Sequence, residues 1–508
     1  MKKRTLVLII LASLMVIYTG VSWYTGKIIA NDFDQQVSQT DTLINQSQHF
    51  MTIKTTYSDY HQGLFSTKLK LKITATENNV LSSNQSQILF NDEITIYHGP
   101  FPWSQIRHLN FMPKMASLFY AMSEKTNPKL WQLTNKRPFL QARLSIDYQQ
   151  NLNLDIHTLP INQANLANNT TYDISPGWLN LSVSHDRKQV NLQVDFDHLN
   201  IKNNVLNIDM SDLSMHGQPV SQPNSDWTYQ MTAAINQLTL TEINRATQNP
   251  QSIKLNKISY SSQIQHDQTI GLHNQNSLNV EKIIFTNQLK SILLNNLTLT
   301  NQNVSTNNQT ISGSLIGDIG HAQLDQQDLG TGHLKIAFEN LPDSLLSRFS
   351  DASVNQTDEQ KANDKIRINI DDVHWQNAQG MINLKLLTQL KNVNFNLAMQ
   401  GEDNVEKLDF VFNAPFNTLA YILAQVANSD KPEVSQANIQ DAYQSVILLS
   451  ALLQNSSILQ IEMTPNRQSS REAGIYSDLH YDNGQAQATM NGKPVDAQLF
   501  FSHLKLLK

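Results

Sequence analysis

The chain has no cysteine, and this one absence removes disulfides, thiolate metal sites, a cysteine nucleophile and the lipidated N-terminal cysteine of a lipoprotein. Charge is scarce as well. Asp, Glu, Lys and Arg make up 16% of the residues and the net charge is −6, so the totals supply neither a basic face for phosphates nor an acidic tail. Nucleic acid is not an expected partner. The polar share rests on Asn, Gln, Ser and Thr, which keep a surface wet without giving it a strong field, and apolar residues interleave with them throughout.

The strict spacings that place catalytic groups are also missing: H-E-x-x-H, G-x-S-x-G, the P-loop and the dinucleotide fingerprint do not occur. The 15 histidines are scattered, and none lies three or four residues from another, as a helical metal site requires. Asp371-Asp372, and Asp195 with Asp197, are short acidic pairs. The second pair shares a strand face and suits either a cation or a solvated strand edge, with no third ligand identifiable. The expectation is a non-enzymatic protein without catalytic residues, cofactor or metal.

The clearest positive signal is N-terminal. Lys2, Lys3 and Arg4 precede an uncharged run from Thr5 to Gly26, and Lys27 follows it. As a helix, this run spans about 33 Å, enough to cross a hydrocarbon core of roughly 30 Å. Its Leu, Ile and Val residues favour insertion, the preceding cations hold the N-terminus in the cytoplasm, and Tyr18, Trp23 and Tyr24 suit the outer interface. A cleaved signal peptide would have a shorter apolar region and a small-x-small site. Here the run ends Tyr18-Thr19-Gly20-Val21-Ser22-Trp23, so the expectation is an uncleaved anchor.

Beyond the anchor, Asn31 to Phe50 reads as a short helical stalk, after which the period changes to two. Leu69, Leu71 and Ile73 alternate with Lys68, Lys70 and Lys72, the pattern of a strand with one wet side, and such sheets are usually antiparallel. The alternation returns at Glu93 to His98, Leu140 to Tyr148, Leu152 to Ile156, Leu179 to Phe196, Val205 to Met210, Met231 to Leu240 and Ile283 to Thr300. It continues at His333 to Phe338, Ile366 to Ile370, Met381 to Leu386 and Val393 to Met399. Many short strands joined by Asn-rich or Gly-containing turns predict a long antiparallel meander. Asn483-Gly484 and Asn491-Gly492 are the best hairpin turns.

Helices are expected at Gln105 to Lys125, interrupted by Pro113, and as an amphipathic pair at Asn417 to Val426 and Ile439 to Leu453. Asp351 to Asp364 reads as a mobile insertion. The resulting fold class is mainly β with minor α: a transmembrane helix followed by a curved, groove-like antiparallel sheet with a few C-terminal helices. The divisions are 1–27 for cytoplasmic tip and anchor, 28–51 for stalk, 52–345 for a β-rich periplasmic region and 346–508 for an α+β continuation.

Several segments resemble the YdgA-like proteins of Gram-negative bacteria. They are Trp23-Tyr24-Thr25-Gly26-Lys27, Tyr57-Ser58-Asp59-Tyr60-His61-Gln62-Gly63-Leu64-Phe65-Ser66, Tyr97-His98-Gly99-Pro100-Phe101-Pro102 and Met112-Pro113-Lys114-Met115-Ala116-Ser117. Weaker echoes are Gln327-Asp328-Leu329-Gly330-Thr331-Gly332, Trp375-Gln376-Asn377-Ala378-Gln379-Gly380 and Tyr481-Asp482-Asn483-Gly484 with Asn491-Gly492. The middle, about Gln150 to Val280, departs from the pattern. The resemblance implies an inner-membrane-anchored periplasmic protein of unknown function, with self-association as one property, and it supplies no catalytic residues. In build the chain is also similar to AsmA-like proteins, which implies lipid traffic or envelope homeostasis.

Within these segments His61 and His98 each have an aromatic neighbour and a glycine close behind. One reading makes them converge on a polar headgroup. The other has His98 bonding a turn backbone before Gly99-Pro100, with Gly63 permitting a bend between Tyr60 and Phe65. Tyr60, Phe65, Phe101 and Trp103 read as core packing. Three functions remain: an apolar sheet face offered to lipid or a partner polypeptide, a self-associating scaffold, and an unrecognised hydrolase.

Overall fold

The computed structural model describes residues 3–47, 51–77, 86–107, 109–165, 169–186, 188–221, 225–244, 249–267, 271–305, 310–342, 365–391, 405–453, 458–465, 471–483, 485 and 487–505. The chain forms two compact units, residues 1–201 with 211–220 and 344–355, and residues 202–210 with 221–343 and 356–508. The strand expected at Val393 to Met399, the insertion at Asp351 to Asp364 and Gly484 lie outside the described residues.

In the first unit a single helix, α1 (Lys3–Ser47), precedes the antiparallel strands β1 (Met51–Gln62), β2 (Ser66–Glu77) and β3 (Ser86–His98). The alternation read at Leu69, Leu71 and Ile73 places Leu69 at 0% exposure among Ile94, Tyr120 and Met122, while Lys68 and Lys70 are exposed. Among the described residues no helix is long and apolar enough to cross a membrane. The side chains of residues 3–14, which include the first ten residues of the apolar run, lie outside the description.

The rest of this unit is a short helix α2 (Trp103–Ile106), β4 (Ala116–Ala121), a second short helix α3 (Pro128–Leu133), and strands β5 (Leu140–Ile146) and β6 (Leu152–Thr158). A hairpin of β7 (Ile161–Asn165) and β8 (Thr170–Ile174) follows, then β9 (Gly177–Val183) and β10 (Val190–Lys202). Here the expected helix over Gln105 to Lys125 is corrected. Only its first turn forms, and Ala116–Ala121 is a strand held between β3 and β5, because pairing on both edges outweighs local helix preference. The run Leu179 to Phe196 is likewise two strands, β9 and β10, paired from Val183–Val190 to Gly177–Phe196.

After β11 (Leu206–Pro219), the second unit is a meander of β12 (Trp227–Ile243), β13 (Pro250–Asp267), β14 (Gly271–Thr286), β15 (Ser291–Ser305), β16 (Thr310–Leu324) and β17 (Gln327–Pro342). It continues through β18 (Ile366–Asn377), β19 (Gly380–Leu390) and β20 (Val405–Pro415), each strand antiparallel to the one before. The run Ile283 to Thr300 spans the turn between β14 and β15. Helices α4 (Phe416–Ala427) and α5 (Gln436–Leu452) stand where the amphipathic pair was expected. Then come β21 (Gln460–Glu462), β22 (Gly474–Asp482), β23 (Gln487–Met490), β24 (Lys493–Asp496) and α6 (Ala497–Lys505). Asn491-Gly492 is the hairpin turn predicted, with φ 51° and 76° as a type I′ turn needs.

The long strands share one irregularity. Pairing skips one aligned row, Asn236, Lys257, Glu281, Asn296 and Gly320, across β12 to β16. In each strand the apolar spacing stretches from two to three there: Ile235 to Leu238, Leu255 to Ile258, Val280 to Ile283, Leu294 to Leu297, Ile319 to Ala322. An extra residue taken up at the same level in every strand keeps the ladder in register and returns the apolar side chains to the same face. Lys257 and Asn296 absorb it with φ of 49° and 54°. In β17 the step falls at Gly330, φ 102°, where an added Cβ would lie 1.9 Å from the Gln376 carbonyl oxygen.

Asn296→Val should therefore lower the stability of this unit by about 1–2 kcal/mol, a branched side chain being unfavourable at positive φ, while Asn296→Gly stays near wild type. Urea denaturation midpoints of the two variants check this.

Candidate functional site

The motif segments of the first unit converge on α1. The helix lays Ser22, Thr25 and Gly26, all buried, against the sheet, at the spacings that share one helical face. A Cβ on Gly26 would sit 2.5 Å from His98 Cε1 and Nδ1, so only glycine lets the helix pass over that ring. His98 is 1% exposed, and its Nε2 lies 2.9 Å from Thr67 Oγ1, while Nδ1 faces the helix with no hydrogen-bond partner among the described residues. Burial pushes the imidazole pKa down, opposed in part by the Leu64 carbonyl.

Further along, Tyr18 stacks on Phe65 at 5.6 Å and donates to the Phe101 carbonyl at 2.9 Å. Gly99 donates its N–H to the Met115 carbonyl at 2.7 Å, and an added Cβ would lie 2.0 Å from the Lys114 carbonyl oxygen. Pro102 is fully buried, Pro100 is half-buried, and Phe101 is exposed. Gly63 closes the β1–β2 turn through its N–H to the Ser66 carbonyl at 2.8 Å. Tyr60 packs with Phe33 and Tyr57.

His61 does not join His98. Asp59, at φ 53°, sits in a register shift between Ser58 and His61, and His61 is exposed opposite Lys68. The core-packing reading holds for Tyr60, whereas Phe65, Phe101 and Trp103 stay partly in solvent.

In the C-terminal half of α1, Asp41 accepts from the Thr55 N–H at 2.7 Å and its hydroxyl at 2.6 Å, and Asn45 exchanges two hydrogen bonds with Ile53 at 2.7 and 2.8 Å. Tyr57 donates to Asp34. These polar side chains bond the backbone of β1 on the edge away from β2, at Ile53 and Thr55.

The second unit holds a concavity of about 410 Å³ on the apolar face of its sheet. Cross-strand register makes it from two rows: Leu297, Ile319, Gly332, Trp375, Ile382, and Leu299, Gly317, Leu334, Val373, Leu384, Phe412. The glycines form its floor. A Cβ on Gly332 would lie 2.9 Å from the Trp375 ring, whose Nε1 donates to the Leu329 carbonyl at 2.8 Å. Among the described residues most of these side chains are only half-buried, and none of them belongs to the three buried clusters.

α4 borders the sheet where strands turn: Asn377 donates to the Thr418 carbonyl at 3.3 Å, Gln425 donates to the Asp328 carbonyl, and Ser429 donates to Asp325 at 2.5 Å. The helix pair closes on its own core of Phe416, Ala420, Ala424, Ala442 and Val446.

Polar residues alternate with the apolar rows of the concavity, and Asp318, His333, His374 and Asn383 among them also belong to the lining. His333 Nδ1 lies 2.6 Å from Asp318 and His374 Nδ1 lies 2.9 Å from Asp372, with the two rings 5.3 Å apart. The bond from His374 is the chief influence holding the Asp372 carboxyl below its ordinary pKa. Among the described residues no group of His, Asp and Glu is arranged to hold a metal ion. Neither the glycine floor nor the edge clamp has a motif by which sequence could announce it; each depends on cross-strand partners distant in the chain.

These features define a mainly antiparallel β protein with an edge-bound N-terminal helix and a sheet whose apolar face is, among the described residues, left partly open. The chain belongs to the family described as bacterial protein of unknown function (DUF945), whose model matches residues 1–498. It is 24% identical over 520 aligned positions to protein YdgA of Escherichia coli strain K12, covering 98% of this chain and 96% of that one. An uncharacterized protein of Haemophilus influenzae is 23% identical over 46% of this chain and 64% of its own length. The uncharacterized protein YihF of Escherichia coli is 23% identical over 25% of this chain and 28% of its own. No solved structure matches.

Lowering the pH should weaken the joint at His98. Its folded pKa lies below the unfolded value, so its stabilisation is complete above about pH 6.5 and falls as the pH drops below it, when the unfolded state binds the extra proton. Thermal melts between pH 7 and pH 5 should show a steeper loss for wild type than for His98→Gln.

Proposed function

We propose that the apolar run of α1 holds the chain in the bacterial inner membrane, N-terminus in the cytoplasm and sheet in the periplasm, and that the concavity over β15 to β20 accepts the acyl part of a lipid. The role is non-enzymatic lipid handling in the envelope. The observation that carries it is the half-open apolar face floored by Gly317 and Gly332. A concavity of about 410 Å³ is of ligand size, and each methylene it buries gains roughly 0.8 kcal/mol. The surface the concavity offers is almost wholly apolar although Asp318, His333, His374 and Asn383 are among its lining residues, so the pocket's own chemistry favours chains over charged solutes.

The full chain extracted in mild detergent should retain phospholipid detectable by mass spectrometry. Leu334→Lys, which puts a charge among the apolar rows, should reduce retention roughly tenfold, and Gln376→Lys, at an exposed position outside the lining, should not. Equal retention by both variants argues against the site. Recovery of the chain from the soluble fraction, or an N-terminus beginning after Gly20, would defeat the anchor.

A second reading, a self-associating scaffold, draws on α5, which exposes Leu448, Leu449 and Leu452. It predicts a constant cross-linked oligomer that Leu449→Asp abolishes while lipid retention persists.

A further inference from the structure

We propose that the β1–β2 turn and the β3–β4 loop form a membrane-inserting surface, seated in the outer leaflet of the bilayer beside α1. The inference rests on the anchor reading above and adds a second point of lipid contact to it. The side chains concerned are large and exposed: Trp103 51%, Leu109 79%, Phe111 62% and Met112 68%, with Leu64 and Phe65 exposed at the tip of the turn. From Pro100 to Lys114 the loop has no acidic residue and carries Arg107 and Lys114, a balance suited to anionic headgroups. The Arg107 guanidinium lies over the Trp103 ring at 5.6 Å, pairing an interfacial aromatic with a cation able to reach the headgroups.

Helix geometry names the occupant. Both segments meet α1 at Tyr18, through the ring of Phe65 and the carbonyl of Phe101. Between Arg4 and Tyr18 the helix rises about 21 Å, against roughly 30 Å of hydrocarbon, and tilting only shortens that reach. With Arg4 at the cytoplasmic boundary, the chain at Tyr18 is still within the outer leaflet, and whatever is bonded there is carried to that depth. Interfacial elements bury their apolar faces by about 5–10 Å, which matches the shortfall. The exposed Phe, Trp, Leu and Met side chains are what that environment calls for.

Because the chain lacks cysteine, a single introduced thiol can be labelled without background. Full-length Trp103→Cys, Phe111→Cys, Val16→Cys and Lys188→Cys, each carrying the fluorophore NBD, are reconstituted in phosphatidylethanolamine–phosphatidylglycerol vesicles. Each is then quenched by lipid bearing a shallow nitroxide or by aqueous iodide. Positions 103 and 111 should be quenched by the lipid nitroxide roughly threefold more than position 188, and by iodide correspondingly less. If iodide reaches 103 and 111 as freely as 188 while Val16 responds to lipid, the loop inference fails and the anchor stands. If Val16 is open to iodide, the anchor fails and the inference with it. Shielding of 103 and 111 from both quenchers means protein covers them, which also overturns the proposal. Phe111 lies outside the core, so its label leaves the fold intact; melting temperatures equal to wild type verify this.

Discussion

In a sheet wet on one side, pairing register and side-chain direction cannot be changed independently: a slip of one residue sends every apolar group to the wrong face. The second unit satisfies that constraint over strands of up to 18 residues. Strands of this length meet the constraint by taking up one residue each at a common level, so partners remain partners and the apolar rows resume on the same side. The open concavity depends on it. Were the extra residues staggered, Leu297 and Ile319 would not stand in line with Gly332 and Trp375, and no continuous apolar surface would exist to hold anything.

The first unit solves a different problem, joining a helix to a sheet edge. Small side chains at Ser22, Thr25 and Gly26 bring the helix close enough to cover His98, and polar side chains further along take over the bonding that a neighbouring strand would supply. The first unit's segments that carry the family resemblance meet at this joint, not at a cluster of reactive groups. Their residue types follow from that: glycines where the backbone approaches closely, aromatics where helix and loops touch, and a histidine with a ring nitrogen sealed beneath the helix.

Much of the architecture was legible because it is written in short-range periodicity. The period of two found Ser66–Glu77 and Leu140–Ile146 closely, the Asn491-Gly492 pair found its hairpin, and the amphipathic pattern found α4 and α5. Where the reading erred, a non-local contact decided. Ala116–Ala121 has helix-compatible residues but lies between two strands. His61 and His98 look alike in sequence, yet a backbone irregularity at Asp59 leaves one in water and the other buried. The three-residue steps at Ile235–Leu238 and its neighbours are visible in the sequence, but they look like imperfect alternation until the strands are aligned.

The bonds between α1 and β1 also determine how force would travel through the molecule. Asn45 and Asp41 grip consecutive alternate residues of β1, Ile53 and Thr55, while Asp34 holds Tyr57. A pull along the helix axis therefore loads these contacts together, in shear, instead of peeling them apart one by one. The joint behaves as a lap seam, strongest against tension along its length, the direction in which a tethered body would tug on its tether.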